Sequence, residues 1–228
     1  RLLDAARAMG GPSVSPLVAA DACSRNLPGK DHPLSADQSA AVQQIVVSGR
    51  VVDVVVGAAG TGKSTAMRGV REAWEAEHGP DSVVGLAPSA AAAEVLSEVV
   101  GIATENTTKW LTEAGRNSLR LSEIDQLRAE LYRASPSIRT RAMHHRARTI
   151  TDEVQRWSLR SGQLVIVDEA SMAGPFELDA LTEQPRKPEP KGLVWGDCAH
   201  LSPVCPVGTF LCSPPRPAPR TQLPVLRG

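Results

Sequence analysis

Aromatic side chains are scarce in this chain. Two Phe, one Tyr and four Trp amount to 3% of 228 residues, so a core must come from Ala, Val, Leu and Ile within an ordinary 42% hydrophobic content. Net charge is also missing, because 25 Lys and Arg balance 25 Asp and Glu. That balance argues against a dedicated basic nucleic-acid module and leaves local patches open. Close cysteine pairs are missing too. Cys23, Cys198, Cys205 and Cys212 form no CxxC, which speaks against a zinc site and for reduced thiols. No apolar run approaches the ~20 residues that span a bilayer, and no signal-peptide pattern is present. The expectation is a cytoplasmic protein. The chain opens on Arg1 rather than Met, as a fragment or processed product would.

What is present suits one full domain with appendages. Residues 1–34 hold a short amphipathic piece, Arg1–Met9, followed by Gly10, Gly11, Pro12, Pro16, Pro28, Gly29 and Pro33, and read as a linker. Ser35 and Gln38 have capping-box spacing, with Ala41, Val42 and Ile45 on one face and Gly49 as a stop. Val51–Val56, interrupted only by Asp53, reads as a buried parallel strand, and Ser82–Ala87, Gln163–Val167 and Gly192–Trp195 read as a second, third and fourth strand. Helices are predicted from Lys63 to about His78, from Pro88 through Val100, over Thr104–Ala114, and from about Pro175 to Thr182. Residues from about 113 to 160 form a charged helical insert, split at Ser135-Pro136. Leu131–Arg148 holds Arg133, Arg139, Arg141, Arg146 and Arg148 and no acid. Alternating strands and helices predict an α/β fold with a mostly parallel sheet flanked by helices. The Pro-rich tail over 211–228 is predicted to be unstructured.

The strongest chemical signal is Gly57-Ala58-Ala59-Gly60-Thr61-Gly62-Lys63-Ser64, followed by Thr65, which matches GxxxxGK[ST] between a predicted strand and a predicted helix. Glycines let backbone N–H groups turn inward onto phosphate oxygens, and the helix N-terminus faces the same anion. Lys63 would place a charge on the β- and γ-phosphates, and the Ser64 hydroxyl would ligate magnesium. These features point to ATP with Mg2+. The second signal is Leu164–Val167 leading into Asp168-Glu169. An apolar strand delivers two carboxylates to the carboxyl edge of the sheet. Asp168 would hold the magnesium, and Glu169 would orient and deprotonate the attacking water. Gln38 has two compatible readings, as the return partner of the capping box and as an adenine contact. His200, after the last strand, is a candidate for sensing the γ-phosphate.

In this order the blocks resemble the first motor domain of a superfamily 1 helicase of the RecD-like branch, with a RecA-like P-loop NTPase fold over residues 35–210. Leu34–Gln38 resembles its Q motif, Gly57–Thr65 motif I, Val167–Ser171 motif II and Gly196–Val204 motif III. Ala87-Pro88-Ser89-Ala90 resembles motif Ia, and Thr107-Thr108 lies where motif Ib is expected. The resemblance therefore implies single-stranded DNA contacts at Pro88, Ser89, Thr107 and Thr108. The match is greatest to the helicase part of MobF-type conjugative relaxases, through Thr107–Leu111, the Arg-rich insert, Gly162–Gly174 and Gly208–Phe210. Three departures stand out. His200 stands where the family usually has Gln. Gln184–Lys191 is Pro-rich. The chain ends where a second RecA-like domain, which in the family supplies an arginine across the cleft, should begin. A frameshifted or truncated gene would explain that end.

Three functional readings follow: a DNA-stimulated ATPase and translocase, an ATP- and DNA-binding module with little turnover alone, and a kinase-like phosphotransferase. The motif Ia and motif III blocks, and the lack of an acceptor site, argue against the third. The Arg-rich stretch reads either as a solvated helix face or as a DNA-backbone contact. Trp110 and Trp157 read as helix core before base-stacking platforms. His144-His145 has no partner at metal-ligand spacing.

Overall fold

A computed structural model describes residues 7–29, 31–56, 62–168, 190–196 and 209–210. Among them six strands form one sheet: β1 (Val52–Val56), β2 (Val83–Ala87), β3 (Ala103–Asn106), β4 (Leu164–Val167), β5 (Lys191–Gly196) and β6 (Thr209–Phe210). Their order is β3-β2-β4-β5-β1-β6, and every ladder is parallel. The helices are α1 (Pro16–Ser24), α2 (Ala36–Val47), α3 (Lys63–His78), α4 (Ala90–Val100), α5 (Thr107–Gly115), α6 (Asn117–Arg133) and α7 (Ile138–Arg156). The fold is the expected one, a parallel sheet flanked by helices in the RecA-like P-loop NTPase manner.

The main core lies where α1–α4 cover one sheet face. It joins Val42, Ile45 and Val46 of α2, Met67, Val70 and Trp74 of α3, and Leu164, Ile166 and Leu193 of the sheet. Trp74 is fully buried, and its Nε1 donates to the Gly162 carbonyl at 2.8 Å. Helices α2 and α3 approach closely at Gly69, where a Cβ would meet Leu34 and Val42 at 2.7 and 3.1 Å. A smaller cluster on the other face gathers Val52, Leu86, Val165 and Val167 around Trp110 and Trp157. Both tryptophans are therefore core, in keeping with the first reading of each. All four residues of β4 are buried, as a central strand covered on both faces requires.

The 1–34 stretch departs from the linker expectation. Pro16 opens α1 at a position where no helical N–H bond is lost, and Ser15 Oγ accepts the Val18 N–H at 3.4 Å. Val14, Ala19, Cys23 and Leu27 enter the main core. Burial holds the Cys23 thiol above its ordinary pKa. Upstream, Met9 bridges Arg50, and Gly10 and Gly11 both donate to the Gly49 carbonyl. A Cβ on Gly11 would sit 2.6 Å from the Arg50 carbonyl oxygen. The prolines and glycines that suggested a linker are here a helix start and a close backbone approach.

Two strands were missed. Residues 104–106 belong to edge strand β3, and the following helix starts only at Thr107, capped by Asn106 Oδ1 accepting the Lys109 N–H at 2.9 Å. Strand β6 is two residues long and pairs with β1 at Val55 and Val56. The charged insert is an antiparallel pair, α6 and α7, divided at Ser135-Pro136 as expected. The predicted helix over 175–182 and the tail over 211–228 lie outside the described residues.

One buried charge lies at the opposite edge of the sheet from the strand carboxyl ends. Lys191 Nζ, fully buried, is 2.9 Å from Asp53 Oδ2 and 5.7 Å from the centre of the Trp74 ring. It also donates to the carbonyls of Ile45, at 2.9 Å, and Ser48 at the end of α2. Burial pushes its pKa below the ordinary lysine value, against the pull of Asp53. This pair explains the single acid in the first strand, and it fastens α2, β1 and β5 together.

Candidate functional site

Because every strand is parallel, the carboxyl ends of all six lie along one edge. The chain segments with chemical content leave the sheet from that edge. Residues 57–62 follow β1, Pro88-Ser89 follows β2, Thr107-Thr108 follows β3, Asp168 follows β4 and residues 197–208 follow β5. Strand order sets their spacing. Asp168 leaves two strands from the Gly57–Ser64 turn, about 10 Å at ~4.8 Å per strand, and β5 lies between them.

Of the glycine-rich turn, Gly62 onward is described, while Gly57, Ala58, Ala59, Gly60 and Thr61 lie outside the described residues. Gly62 caps α3 with φ +79° and ψ 23°, a left-handed conformation that glycine adopts without strain. Its carbonyl accepts the first helical bond of α3, from Ala66 N–H at 3.0 Å. Lys63, Ser64 and Thr65 form the first turn, at the positive end of the helix dipole. Ser64 is exposed there.

Gln38 reaches the same turn. Its side chain completes the capping box, Oε1 accepting the Ser35 N–H at 3.2 Å while Ser35 Oγ accepts the Gln38 N–H at 3.3 Å. Its Nε2 also donates to the Gly62 carbonyl at 3.5 Å. The residue therefore ties the start of α2 to the start of α3, a role the sequence did not suggest.

Asp168 is half-buried at the end of β4, and its N–H donates to the Leu86 carbonyl at 3.0 Å. An exposed hydroxyl at Ser64 and a carboxylate at Asp168, on one sheet edge, are hard oxygen donors of the kind magnesium takes. Glu169 and His200 lie outside the described residues.

The remaining expected contacts divide. Ser89 caps α4, its Oγ accepting the Ala92 N–H at 3.1 Å, and it remains exposed next to half-buried Pro88. Thr108 is exposed. Thr107 is fully buried, and its hydroxyl donates to the Ala87 carbonyl at 3.1 Å. It holds the β2 turn from beneath and presents no surface to a strand of DNA. Asn106 does the same from the side, its Nδ2 donating to the Pro88 carbonyl at 2.9 Å. Arg68 and Arg71 of α3 cap the other end of α4 through the carbonyls of Val99 and Val100. Sequence reasoning missed all three, because an Asn or Arg in a helical or strand-end context carries no mark of its distant partner.

Comparison with known proteins agrees with this fold. A family profile described as an AAA domain matches residues 33–213. A probable conjugal transfer protein TraA of Sinorhizobium fredii is 40% identical over 77 residues, covering 34% of this chain and 7% of the relative. The conjugal transfer protein TraA of Rhizobium radiobacter is 39% identical over 100 residues, 44% of this chain and 8% of the relative. A third TraA, from Agrobacterium fabrum, is 39% identical over 82 residues, 36% and 7% respectively. The matched stretch is thus a small part of much longer proteins. The resemblance to a RecD-like motor domain of a conjugative relaxase stands on these matches. Among the described residues, no helix is long and apolar enough to cross a membrane.

Proposed function

Because the chain belongs to the AAA domain family and is a helicase-like NTPase module, we propose that it is the ATP-binding first motor domain of a DNA helicase or translocase, part of a conjugative relaxase-like protein of the cytoplasm. The observation that carries this reading is the single sheet edge bearing Lys63, Ser64, Asp168, Pro88, Ser89 and Thr108. Nucleotide chemistry and the exposed β2 and β3 turns share that edge, so a change at the first can reach the second through a few strands.

In this reading the N–H groups of residues 57–62 and the start of α3 take the triphosphate, with the Lys63 ammonium on its β- and γ-oxygens. Ser64 and Asp168 would hold magnesium, which when bound offsets charge on the phosphate oxygens. Glu169 accepts the proton of the attacking water. His200 donates a hydrogen bond to the γ-phosphate where the family uses Gln. Gln38 takes the adenine edge with its amide, and doing so loosens its bond to Gly62. Pro88, Ser89 and Thr108 meet the backbone of single-stranded DNA. A second RecA-like domain would supply an arginine across the cleft, a contribution of roughly 10³–10⁵ in rate.

The test is ATP turnover by this chain with and without single-stranded DNA, beside Lys63→Ala. DNA-stimulated turnover that Lys63→Ala abolishes is expected of a motor. Nucleotide binding without turnover would reduce the chain to a binding module. Failure to bind ATP at all would overturn the reading.

A further inference from the structure

Helices α6 and α7 form an arm whose described links to the body gather at its base. There Arg120 of α6 donates to the Glu113 carbonyl of α5 at 2.6 Å, and Asn117 Nδ2 donates at 2.9 Å to the carbonyl of Trp157, a residue of the smaller core cluster. Further out, charge separates. The acids of α6 are taken: Glu123 accepts Arg146 through two bonds of 2.8 and 3.2 Å, Glu130 lies 3.6 Å from Arg139, and Asp125 lies 3.7 Å from Arg128. Because Leu131–Arg148 holds no acid, the outer arm is left with Arg133, Arg141 and Arg148, exposed and without an acidic partner among the described residues.

Helical geometry lines these residues up. Met143, Ala147 and Ile150 face the seam with α6, so Arg141, His145 and Arg148, at i, i+4 and i+7, run along the outward face. Arg133 ends α6 at the tip of the arm. Its neighbour Tyr132, the only tyrosine of the chain, is 93% exposed. An open cleft of about 640 Å³ at the tip is lined by Leu131, Pro136, Ile138, Arg141 and His144. In a chain this poor in aromatics, an uncovered ring beside Arg133, with unpaired Arg141 and Arg148 on the neighbouring helix, matches the chemistry of a nucleic-acid strand, phosphates for the arginines and a base for the ring.

We propose that the outer part of this arm is a second nucleic-acid contact, in which Arg133, Arg141 and Arg148 bind phosphates of a single strand that wraps the tip and Tyr132 stacks on one of its bases. A duplex keeps its bases stacked on one another, so the exposed ring selects the single strand. The inference rests on the nucleic-acid reading above but uses none of the residues on the sheet edge.

Fluorescence anisotropy of the whole chain with a labelled oligothymidylate of about thirty nucleotides, several times a usual binding-site size of ~4–16 nucleotides, tests it across a salt series. The Arg133→Ala, Arg141→Ala, Arg148→Ala triple variant is expected to bind at least about tenfold more weakly at low salt. Its slope of log K against log salt should fall by about 2, at ~0.7 per lost phosphate contact. The corresponding triple Lys variant should keep the slope. Tyr132→Ala should lose roughly 5- to 150-fold on the single strand, the range of one base–aromatic stack, and little on a duplex of equal length. All four positions are exposed, and a parental circular dichroism spectrum establishes that each variant is folded. If the parent binds and the triple Ala variant binds with parental affinity and slope, the arm contact is overturned while the sheet-edge reading survives. Equal loss on duplex and single strand for Tyr132→Ala overturns the stacking role. A parent that binds no single strand overturns both.

Discussion

The body and the arm are held together by different physics. In the body, α2 buries Ala41, Val42, Ile45 and Val46, and α3 buries residues from Ala66 to Trp74 against a sheet whose central strand is covered on both faces. In the arm, α6 buries Ile124 alone and α7 buries Met143 and Ile150. Its helices are joined instead by Arg146 with Glu123, and at the base by Arg120 with Glu153, while Arg120 also ties α6 to Glu113 of α5. Apolar burial gives the body one rigid arrangement, which a nucleotide site needs. Half-exposed ion pairs contribute little each and are screened by salt. The arm can therefore open locally while the body stays folded.

The largest break in this contrast is expected at Lys191. Lys191→Ala leaves the Asp53 carboxylate, 4% exposed, without its near cation, with only half-exposed Arg50 at 3.9 Å and the Ser48 hydroxyl as partners. A loss of about 3–5 kcal/mol in a denaturant titration is expected, because the remaining charge stays buried. Pairing it with Asp53→Leu should recover most of that loss. No recovery in the double variant would show that the pair does more than satisfy itself. Lys191 also sets a pH dependence. Its pKa is lower folded than unfolded, so the native state holds fewer protons between the two values. Stability from this group therefore rises with pH toward its ordinary value of 10.5.

A smaller effect is expected at Gly62. Gly62→Ala forces a side chain into φ +79° and against the Gln38 amide nitrogen. About 1–2 kcal/mol of stability should be lost, and ATP affinity should fall more than that loss alone explains, which equilibrium binding with a fluorescent ATP analogue would read. Unchanged affinity would separate the Gln38–Gly62 link from the nucleotide site.

The smallest effect sharpens the arm's side of the comparison. The Arg146 guanidinium holds the Glu123 carboxyl below its ordinary value of 4.5. Its contribution is present above that value and is lost as pH falls through the lowered one. Amide-exchange protection, corrected for intrinsic rates, should drop in α6 and α7 on such acidification before it drops in α3 or β4. Arg146→Ala should mimic this at neutral pH. Simultaneous loss in both regions would show that the arm is no separate unit.

Much of the body was legible in the sequence. The runs 51–56, 82–87, 163–167 and 192–195 became strands, and the capping box at Ser35 and Gln38 formed with both bonds. Burial patterns and caps are local signals. Strand β3 was hidden because Thr104–Asn106 has no apolar run and pairs only along one edge. Helix α1 was hidden because proline signals a break by composition but a start by position.

Sequence by itself therefore determined the fold class, since strand and helix patterns are local, and it singled out the glycine-rich turn and the strand-end acid Asp168 as candidates by residue type and order. Tertiary structure alone decided what depends on distant partners. It turned Thr107 inward to Ala87, set Gln38 against Gly62, and buried Lys191 against Asp53. It also matched Glu123 and Glu130 of α6 to Arg146 and Arg139 of α7, which left Arg133, Arg141 and Arg148 without acidic partners among the described residues. A chain with no net charge carries that patch because pairing across the seam is selective, and pairing is a property of geometry.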